Sequence, residues 1–96
     1  MKISEMVDLV HDNAVNKGFW DKRREVGTLL MLVVSELAEA LEAHRNRDME
    51  NFAEELADTV IRVADIAGGL NIDLEMEIVN KMVRNKHRPR LHGKEY

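Results

Sequence analysis

The chain has 96 residues, a formal net charge of −4 and no cysteine. This length suits one domain, and a domain so small buries only about 60% of the surface that its unfolded chain exposes, so self-association would add useful burial. The absence of cysteine excludes disulfides and thiolate metal ligands, which leaves carboxylate, imidazole and backbone oxygen to hold any metal.

The charges are distributed unevenly along the chain. Residues 1–80 hold 17 acidic and 8 basic side chains, whereas residues 81–96 hold 1 acidic and 6 basic. A nucleic-acid-binding domain usually presents a basic face on its body, so we predict no nucleic acid partner. No apolar run approaches the roughly 20 residues of a membrane span, and the first residues lack the apolar stretch of a secretory signal. We therefore expect no membrane partner and a cytoplasmic location.

Apolar residues recur at three- and four-residue spacing almost throughout, which predicts an all-α chain. Four helices are predicted: from about Ser4, a candidate N-cap, to Asn16 or Lys17, over about Glu25–His44, from a cap at Asp48 to Gly68-Gly69, and over about Asp73–Lys86. The last helix must stop near His87, because the residue before Pro89 disfavours the α region.

Short connections between the predicted helices imply antiparallel neighbours. The predicted fold is therefore a single domain over residues 1–96, an antiparallel up-and-down bundle of about four helices, with residues 88–96 as an irregular basic tail. The second helix is apolar nearly all round, with Met31, Val34 and Ala38 opposite its acidic stripe. A single bundle would leave that side exposed, so we expect oligomerisation to complete it.

Two acidic pairs lie inside apolar stripes. At 100° per residue, Glu39 projects about 60° from Glu36 on the second helix, and Asp58 projects about 60° from Glu55 on the third. Facing helices would bring these four carboxylates together among apolar side chains, where repulsion and desolvation make ionisation costly. A bound cation, a salt bridge or proton uptake would relieve the cost. All-oxygen ligation suits Mg²⁺ or Mn²⁺, which keep water and phosphate oxygens in their other positions.

Two other interpretations of the carboxylates use the same residues. In the first, they are ordinary surface acids that pair with bases on the same helix. Arg62 is placed to pair with Asp58 or Glu55 in this way. Glu36, however, has no base within one turn of its helix. A di-iron carboxylate bundle would carry Glu-x-x-His pairs, and none of the four histidines has Glu three residues before it. The sequence therefore favours a Mg²⁺ site.

Residues 35–39 (SELAE) followed by residues 54–58 (EELAD) resemble the E-E-x-x-E and E-x-x-D signature of the MazG-like, all-α nucleoside triphosphate pyrophosphohydrolases. The run from Lys81 to Lys94 is similar to the Lys, Asn, Arg-Pro and His-Gly ending of many short members, so the resemblance covers nearly the whole chain. One departure is Ser35, which stands where the family has its first Glu. Ser35 projects about 100° from Glu36, away from the centre of the cluster, so the metal site need not be lost.

The resemblance implies a Mg²⁺-dependent hydrolase that cleaves a (d)NTP between its α and β phosphates, releasing a (d)NMP and pyrophosphate, in nucleotide-pool house-cleaning. It implies a homodimer or homotetramer. The implied metal ligands and catalytic residues are Glu36, Glu39, Glu55 and Asp58, with Mn²⁺ as a possible substitute for Mg²⁺. Lys81 and Asn85 become candidate phosphate or sugar contacts. Glu39 is a candidate base for the attacking water.

Three further residues are candidate substrate contacts. Arg88 and Lys94 suit phosphate oxygens, although cations also collect at helix C-termini through the helix dipole alone. Trp20 is placed either to stack on a nucleobase or to plug the end of the bundle. The rival function is a non-catalytic helical interaction module whose carboxylates pair with bases on a partner.

Overall fold

A computed structural model of the chain describes residues 1–89, and these form four helices in the order α1 (Ile3–Asn16), α2 (Val26–Arg45), α3 (Met49–Gly69) and α4 (Leu74–Lys86). The described residues contain no strand, which confirms the all-α prediction. None of these helices combines the length and apolarity that crossing a membrane requires. Lys94, one of the predicted phosphate contacts, lies outside the described residues.

Three of the helices begin at an acidic N-cap. The Glu25 carboxylate accepts hydrogen bonds from the backbone N–H groups of Gly27 and Thr28 at the start of α2. Asp48 caps α3 as predicted, and Asp73 caps α4 in the same way. Each carboxylate satisfies N–H groups that have no partner inside the helix and also lies at the positive end of the helix dipole.

The prediction that Ser4 caps α1 is wrong. Lys2 occupies the N-cap position and α1 begins at Ile3, so that Ser4 lies inside the first turn. The backbone N–H of Ser4 instead donates to the Glu75 carboxylate at 3.2 Å, which ties the start of α1 to the first turn of α4. A long-range partner thus replaces the local cap that the sequence pattern indicated.

The two glycines at the end of α3 permit close packing. A Cβ atom on Gly68 would lie 2.6 Å from Cβ of His11, and one on Gly69 would lie 2.2 Å from Cη2 of Trp20. Both residues are helical, and the chain turns only afterwards, at Asn71, whose φ is 57°. The absence of a side chain therefore lets His11 and Trp20 lie directly on the helix backbone.

α3 lies at the centre of the fold. It packs against α2 on one side and α1 on another, whereas α4 packs chiefly on α1. The buried cluster consists of Val7 on α1 with Ala64 and Ala67 on α3, and partly buried apolar side chains surround it. α4 contains no buried residue, so the four helices do not close around one common core.

Large apolar side chains remain exposed on all four helices, but α1 contributes only Leu9 and Val15. The others include Leu30, Met31, Val34, Leu37 and Leu41 on α2, Leu56, Val60, Ile61 and Val63 on α3, and Met76, Val79, Met82 and Val83 on α4. The radius of gyration, 15.9 Å, exceeds the about 12.5 Å expected of a compact domain of this length. The fold therefore presents an apolar surface well beyond the scattered apolar residues that are normal on a monomer.

Candidate functional site

Three of the four predicted ligands lie together between α2 and α3. One carboxylate oxygen from each of Glu36, Glu39 and Glu55 lies within 4.8 Å of the other two. In octahedral Mg²⁺ coordination, with bonds of about 2.1 Å, ligand oxygens lie roughly 3–4 Å apart. A small contraction would therefore let these three residues, the carboxylate cluster, share one cation.

Asp58, the fourth predicted ligand, is not part of the carboxylate cluster. It is exposed one turn beyond Glu55 on α3 and lines a neighbouring cavity together with Glu36. The i,i+3 spacing alone does not decide this, because Glu39 has the same spacing from Glu36 and does join the cluster. Asp58 faces the cavity, and the carboxylate cluster is made by the other three.

The sequence of α2 explains why Glu36 is buried. Leu29, Ala40 and Ala43 are buried on the same stripe of the helix, and Glu36 lies among them with only 9% of its surface exposed. The two alanines let α2 approach α3 closely, because a methyl side chain occupies little of the interface. Glu39, on the flank of the stripe, remains exposed.

Glu36 is paired with Arg62 across the helix interface. The Arg62 Nε–H donates to Glu36 Oε1 at 2.8 Å. The Arg62 guanidinium lowers the pKa of Glu36, and hydrogen bonding with Glu55 acts in the same direction. The sequence placed Arg62 to pair with Asp58 or Glu55 if the acids were ordinary surface residues, whereas its ion pair in the structure is with Glu36. A buried carboxylate gains more from a cation than an exposed one does, so the interhelical pair with Glu36 wins over an intrahelical pair with Asp58.

Glu55 has an oxygen without any partner. Its Oε2 is buried and forms no hydrogen bond with any of the described residues. Hydrogen bonding with Glu36, desolvation and the proximity of Glu39 raise the pKa of Glu55 to about 7. Glu55 therefore holds a proton up to near neutral pH, and a cation could take the place of that proton.

A cavity of about 340 Å³ opens beside the carboxylate cluster. It lies among α1, α2, α3 and the segment between α1 and α2, and its lining residues are Val10, Asn13, Ala14, Phe19, Arg24, Glu36, Asp58, Ile61, Arg62 and Asp65. This volume is within the usual range for a small-molecule site. Two guanidinium groups, three carboxylates and one aromatic ring give the lining the mixed character that a charged ligand with a flat apolar part requires.

The segment between α1 and α2 is fastened to α3 by Asp65. The Trp20 Nε1–H donates to Asp65 Oδ1 at 2.9 Å, and His11 Nδ1 lies 2.8 Å from the same oxygen. The His11 and Trp20 rings meet edge to face at 5.2 Å, and the Arg24 guanidinium lies 5.7 Å from the Trp20 ring. These contacts hold the two residues that this segment contributes to the cavity, Phe19 and Arg24.

Asp65 was not predicted from the sequence. It is seven residues beyond Asp58, which places it on the acidic stripe of α3 next to the buried Ala64. The sequence signal that could have indicated a role for Asp65 is an acidic side chain within a mainly apolar stretch of the helix.

The remaining predicted contacts lie elsewhere. Trp20, a predicted substrate contact with a plug of the bundle as the alternative, packs on Gly69 and does not line the cavity, which leaves Phe19 as the aromatic residue there. Lys81 and Asn85 are exposed on α4, and Arg88 is exposed just beyond it. None of these three lines the cavity within the described chain.

Comparisons of the chain with models of known protein families, with curated proteins and with solved structures give no match.

Proposed function

We propose that this protein is a Mg²⁺-dependent nucleoside triphosphate pyrophosphohydrolase that cleaves a (d)NTP to a (d)NMP and pyrophosphate and removes unwanted nucleotides from the cytoplasm. The observation that carries the proposal is Glu55 Oε2, a buried carboxylate oxygen that has no partner in residues 1–89 and lies beside Glu36 and Glu39. A buried polar atom without a partner is costly and uncommon in folded proteins, and a bound ion is one of the partners that accounts for such an atom.

The donor set favours a hard divalent cation. Three carboxylates offer oxygen ligands alone, which suit Mg²⁺ and Mn²⁺ and disfavour metals that need nitrogen or sulfur. A dedicated cage of protein ligands is unusual for Mg²⁺, which ordinarily keeps water and phosphate oxygens in several positions. A site with three carboxylates beside an open cavity therefore suits Mg²⁺ whose remaining coordination positions are filled by water or by phosphate oxygens of a ligand in the cavity.

The cavity has groups for both ends of a nucleotide. Arg24 and Arg62 are suited to phosphate oxygens, because a guanidinium presents paired N–H donors. Phe19 offers an aromatic face to a base, and Asn13 offers an amide that both donates and accepts hydrogen bonds. The phosphates would then lie on the Glu36 side of the cavity.

The chemistry needs an attacking water and a group that takes its proton. Bound Mg²⁺ would neutralise phosphate oxygens and stabilise the charge that develops at the scissile phosphorus. Glu39 and Asp58 are the exposed carboxylates at this position, so either is accessible to a water molecule and able to accept its proton. Glu36 is buried in the interface between α2 and α3, so it is the carboxylate least accessible to a water molecule and the least suited to act as a base.

The exposed apolar surface supports a homodimer or homotetramer as the working form. α4 has no buried residue, so the hydrophobic core of one chain is incomplete. Contact with a second chain would bury the large apolar side chains on α2, α3 and α4 and so extend that core. Lys81, Asn85, Arg88 and Lys94 stay candidate phosphate contacts through the family resemblance. Because the first three lie away from the cavity of their own chain, such contacts would come from a neighbouring chain.

The test is pyrophosphate release from a panel of (d)NTPs with and without Mg²⁺. Glu55→Gln keeps the size of the side chain and removes its charge, so we expect a loss of at least about a hundredfold in the rate. Glu54→Gln is the matched control, because Glu54 is the exposed neighbour of Glu55 and is not part of the carboxylate cluster. Equal activity of the two variants would contradict the proposal.

The second candidate is a non-catalytic helical interaction module. The exposed apolar surface of α2, α3 and α4 favours it, since such a surface also fits a partner protein. This function predicts no pyrophosphate from any (d)NTP and no change in melting temperature when Mg²⁺ and a non-hydrolysable nucleotide are added. Either positive result excludes it as the sole function.

A further inference from the structure

Arg62 connects the carboxylate cluster with the cavity. Its Nε–H bonds Glu36 Oε1 at 2.8 Å, and the same side chain lines the cavity. This ion pair joins α3 to the buried Glu36 of the carboxylate cluster. The Arg62 side chain is 41% exposed, whereas that of Glu36 is 12% exposed, so Arg62 is much more accessible to a ligand than its partner is.

The bond to Glu36 uses only part of the guanidinium. A guanidinium has five N–H donors, and the recorded bond involves the one on Nε. The four donors on the terminal nitrogens take no part in it. A planar pair of such donors is the group that best matches two oxygens of one phosphate.

A divalent cation and Arg62 compete for the same carboxylate. A cation held by Glu36, Glu39 and Glu55 would lie within a few ångströms of the guanidinium, where two positive charges repel strongly in a partly buried site. Arg62 neutralises the charge of Glu36. A bound divalent cation would neutralise the same charge, so Glu36 would no longer need Arg62 as its partner.

We propose that Arg62 is the built-in counter-ion of Glu36, that a divalent cation displaces it, and that the released guanidinium binds phosphate oxygens of the nucleotide in the cavity. The inference rests on the proposed function and assigns Arg62 a role that the sequence did not suggest. Its consequence is coupling: metal binding makes a phosphate ligand available, so metal and nucleotide each strengthen the binding of the other.

The decisive experiment measures metal and nucleotide binding to Arg62→Met separately. Mn²⁺ binding, followed by the electron paramagnetic resonance of the free ion, should be about tenfold tighter than in the wild type, because a competing positive charge is gone. Binding of an α,β-methylene deoxynucleoside triphosphate at saturating Mg²⁺, measured by calorimetry, should be at least about tenfold weaker. The two affinities therefore change in opposite directions.

The opposite signs separate this role from that of a residue that merely orients Glu36. Removal of an orienting partner weakens metal binding, typically about 10- to 100-fold, and the nucleotide affinity falls with it. Weaker binding of both ligands to Arg62→Met would overturn the inference. Arg45→Met is the matched control, because it removes the same charge from an exposed position at the end of α2, and both affinities should stay at wild-type values.

A measurement on the wild type keeps the inference testable if Arg62→Met does not fold. In nitrogen-15 spectra of arginine side chains, the Nε–H of Arg62 should exchange slowly with water in EDTA, because it is bonded to a buried carboxylate. Mg²⁺ should remove this protection. An unchanged Nε–H signal in protein that has bound Mg²⁺ would overturn the displacement.

The outcomes also distinguish this inference from the proposed function. If neither the wild type nor Arg62→Met binds Mn²⁺, both fail. If the wild type binds Mn²⁺ and releases pyrophosphate while Arg62→Met binds Mn²⁺ more weakly, the enzyme stands and the displacement is wrong.

Discussion

The packing of Trp20 on Gly69 allows a stability prediction to be worked from distances. In Gly69→Ala the new methyl group would lie 2.2, 2.5 and 2.7 Å from three carbons of the Trp20 ring, whereas carbon atoms in contact lie about 3.5–4.0 Å apart. The ring must therefore move by more than about 1 Å. The bond from Trp20 Nε1 to Asp65, now 2.9 Å, would then exceed hydrogen-bond length.

The free energies can be estimated from the contacts involved. Loss of a hydrogen bond to a carboxylate costs about 1.5–3 kcal/mol, and the edge-to-face contact of Trp20 with His11 is worth about 0.5–1.5 kcal/mol. Alanine in a helix gains about 1 kcal/mol over glycine. We expect a net loss of about 1–3 kcal/mol, which lowers the melting temperature by roughly 10 °C in a domain of this size.

Thermal unfolding at fixed protein concentration measures the loss, and fluorescence reports the displacement directly because Trp20 is the only tryptophan. The control is the same substitution in a Trp20→Ala background, where the clash is absent and only the gain in helix propensity of up to about 1 kcal/mol remains. Gly69→Ala should therefore destabilise the wild type and slightly stabilise Trp20→Ala. Equal destabilisation in both backgrounds would refute the reasoning.

Three further predictions follow from the caps, the carboxylate cluster and the exposed surface. Because the folded pKa of Glu55, about 7, exceeds its ordinary value of 4.5, the stability that this proton contributes is complete below pH 4.5 and is lost as the pH rises through 7. In EDTA, the melting temperature of the wild type should therefore fall between pH 5 and 8 by more than that of Glu55→Gln. The same fall in both proteins would contradict the raised pKa of Glu55. Asp48→Ala removes the cap of α3 and should cost about 1 kcal/mol in denaturant unfolding, whereas Glu50→Ala in the same turn should cost less. Leu37→Glu on the exposed face of α2 should lower the mass measured by light scattering, and a monomeric wild type would refute self-association through this face.

Helical periodicity was sufficient to predict the four helices and the burial of Glu36. These features follow from local spacing, because Leu29, Ala40 and Ala43 form one apolar stripe of the helix that must face another helix, and Glu36 lies on the same stripe. The predicted cap at Asp48 is equally local. The pattern on each helix thus determined which side chains enter the interface between α2 and α3.

The contacts between helices were harder to predict. The pairing of Arg62 with Glu36 depends on the height at which α2 and α3 meet, and periodicity gives the face of a helix but not its register against a neighbour. The same holds for Asp65, whose partners His11 and Trp20 lie 54 and 45 residues away along the chain. Which of the four carboxylates meet is likewise a matter of register between α2 and α3, so projection around each axis did not show that Asp58 lies outside the carboxylate cluster.

α3 organises the candidate site because one stripe carries four charged residues with four different tasks. Glu55, Asp58, Arg62 and Asp65 project within an arc of about 80° and follow one another up the helix. Glu55 belongs to the carboxylate cluster, Asp58 lines the cavity, Arg62 neutralises Glu36, and Asp65 holds Trp20. Substitutions along this stripe should therefore be non-additive where two residues share a partner, and nearly additive between Glu55 and Asp65, which share none and lie about 15 Å apart along the axis. A double-mutant cycle that found strong coupling between those two ends would mean that α3 shifts as a rigid rod when either contact is lost.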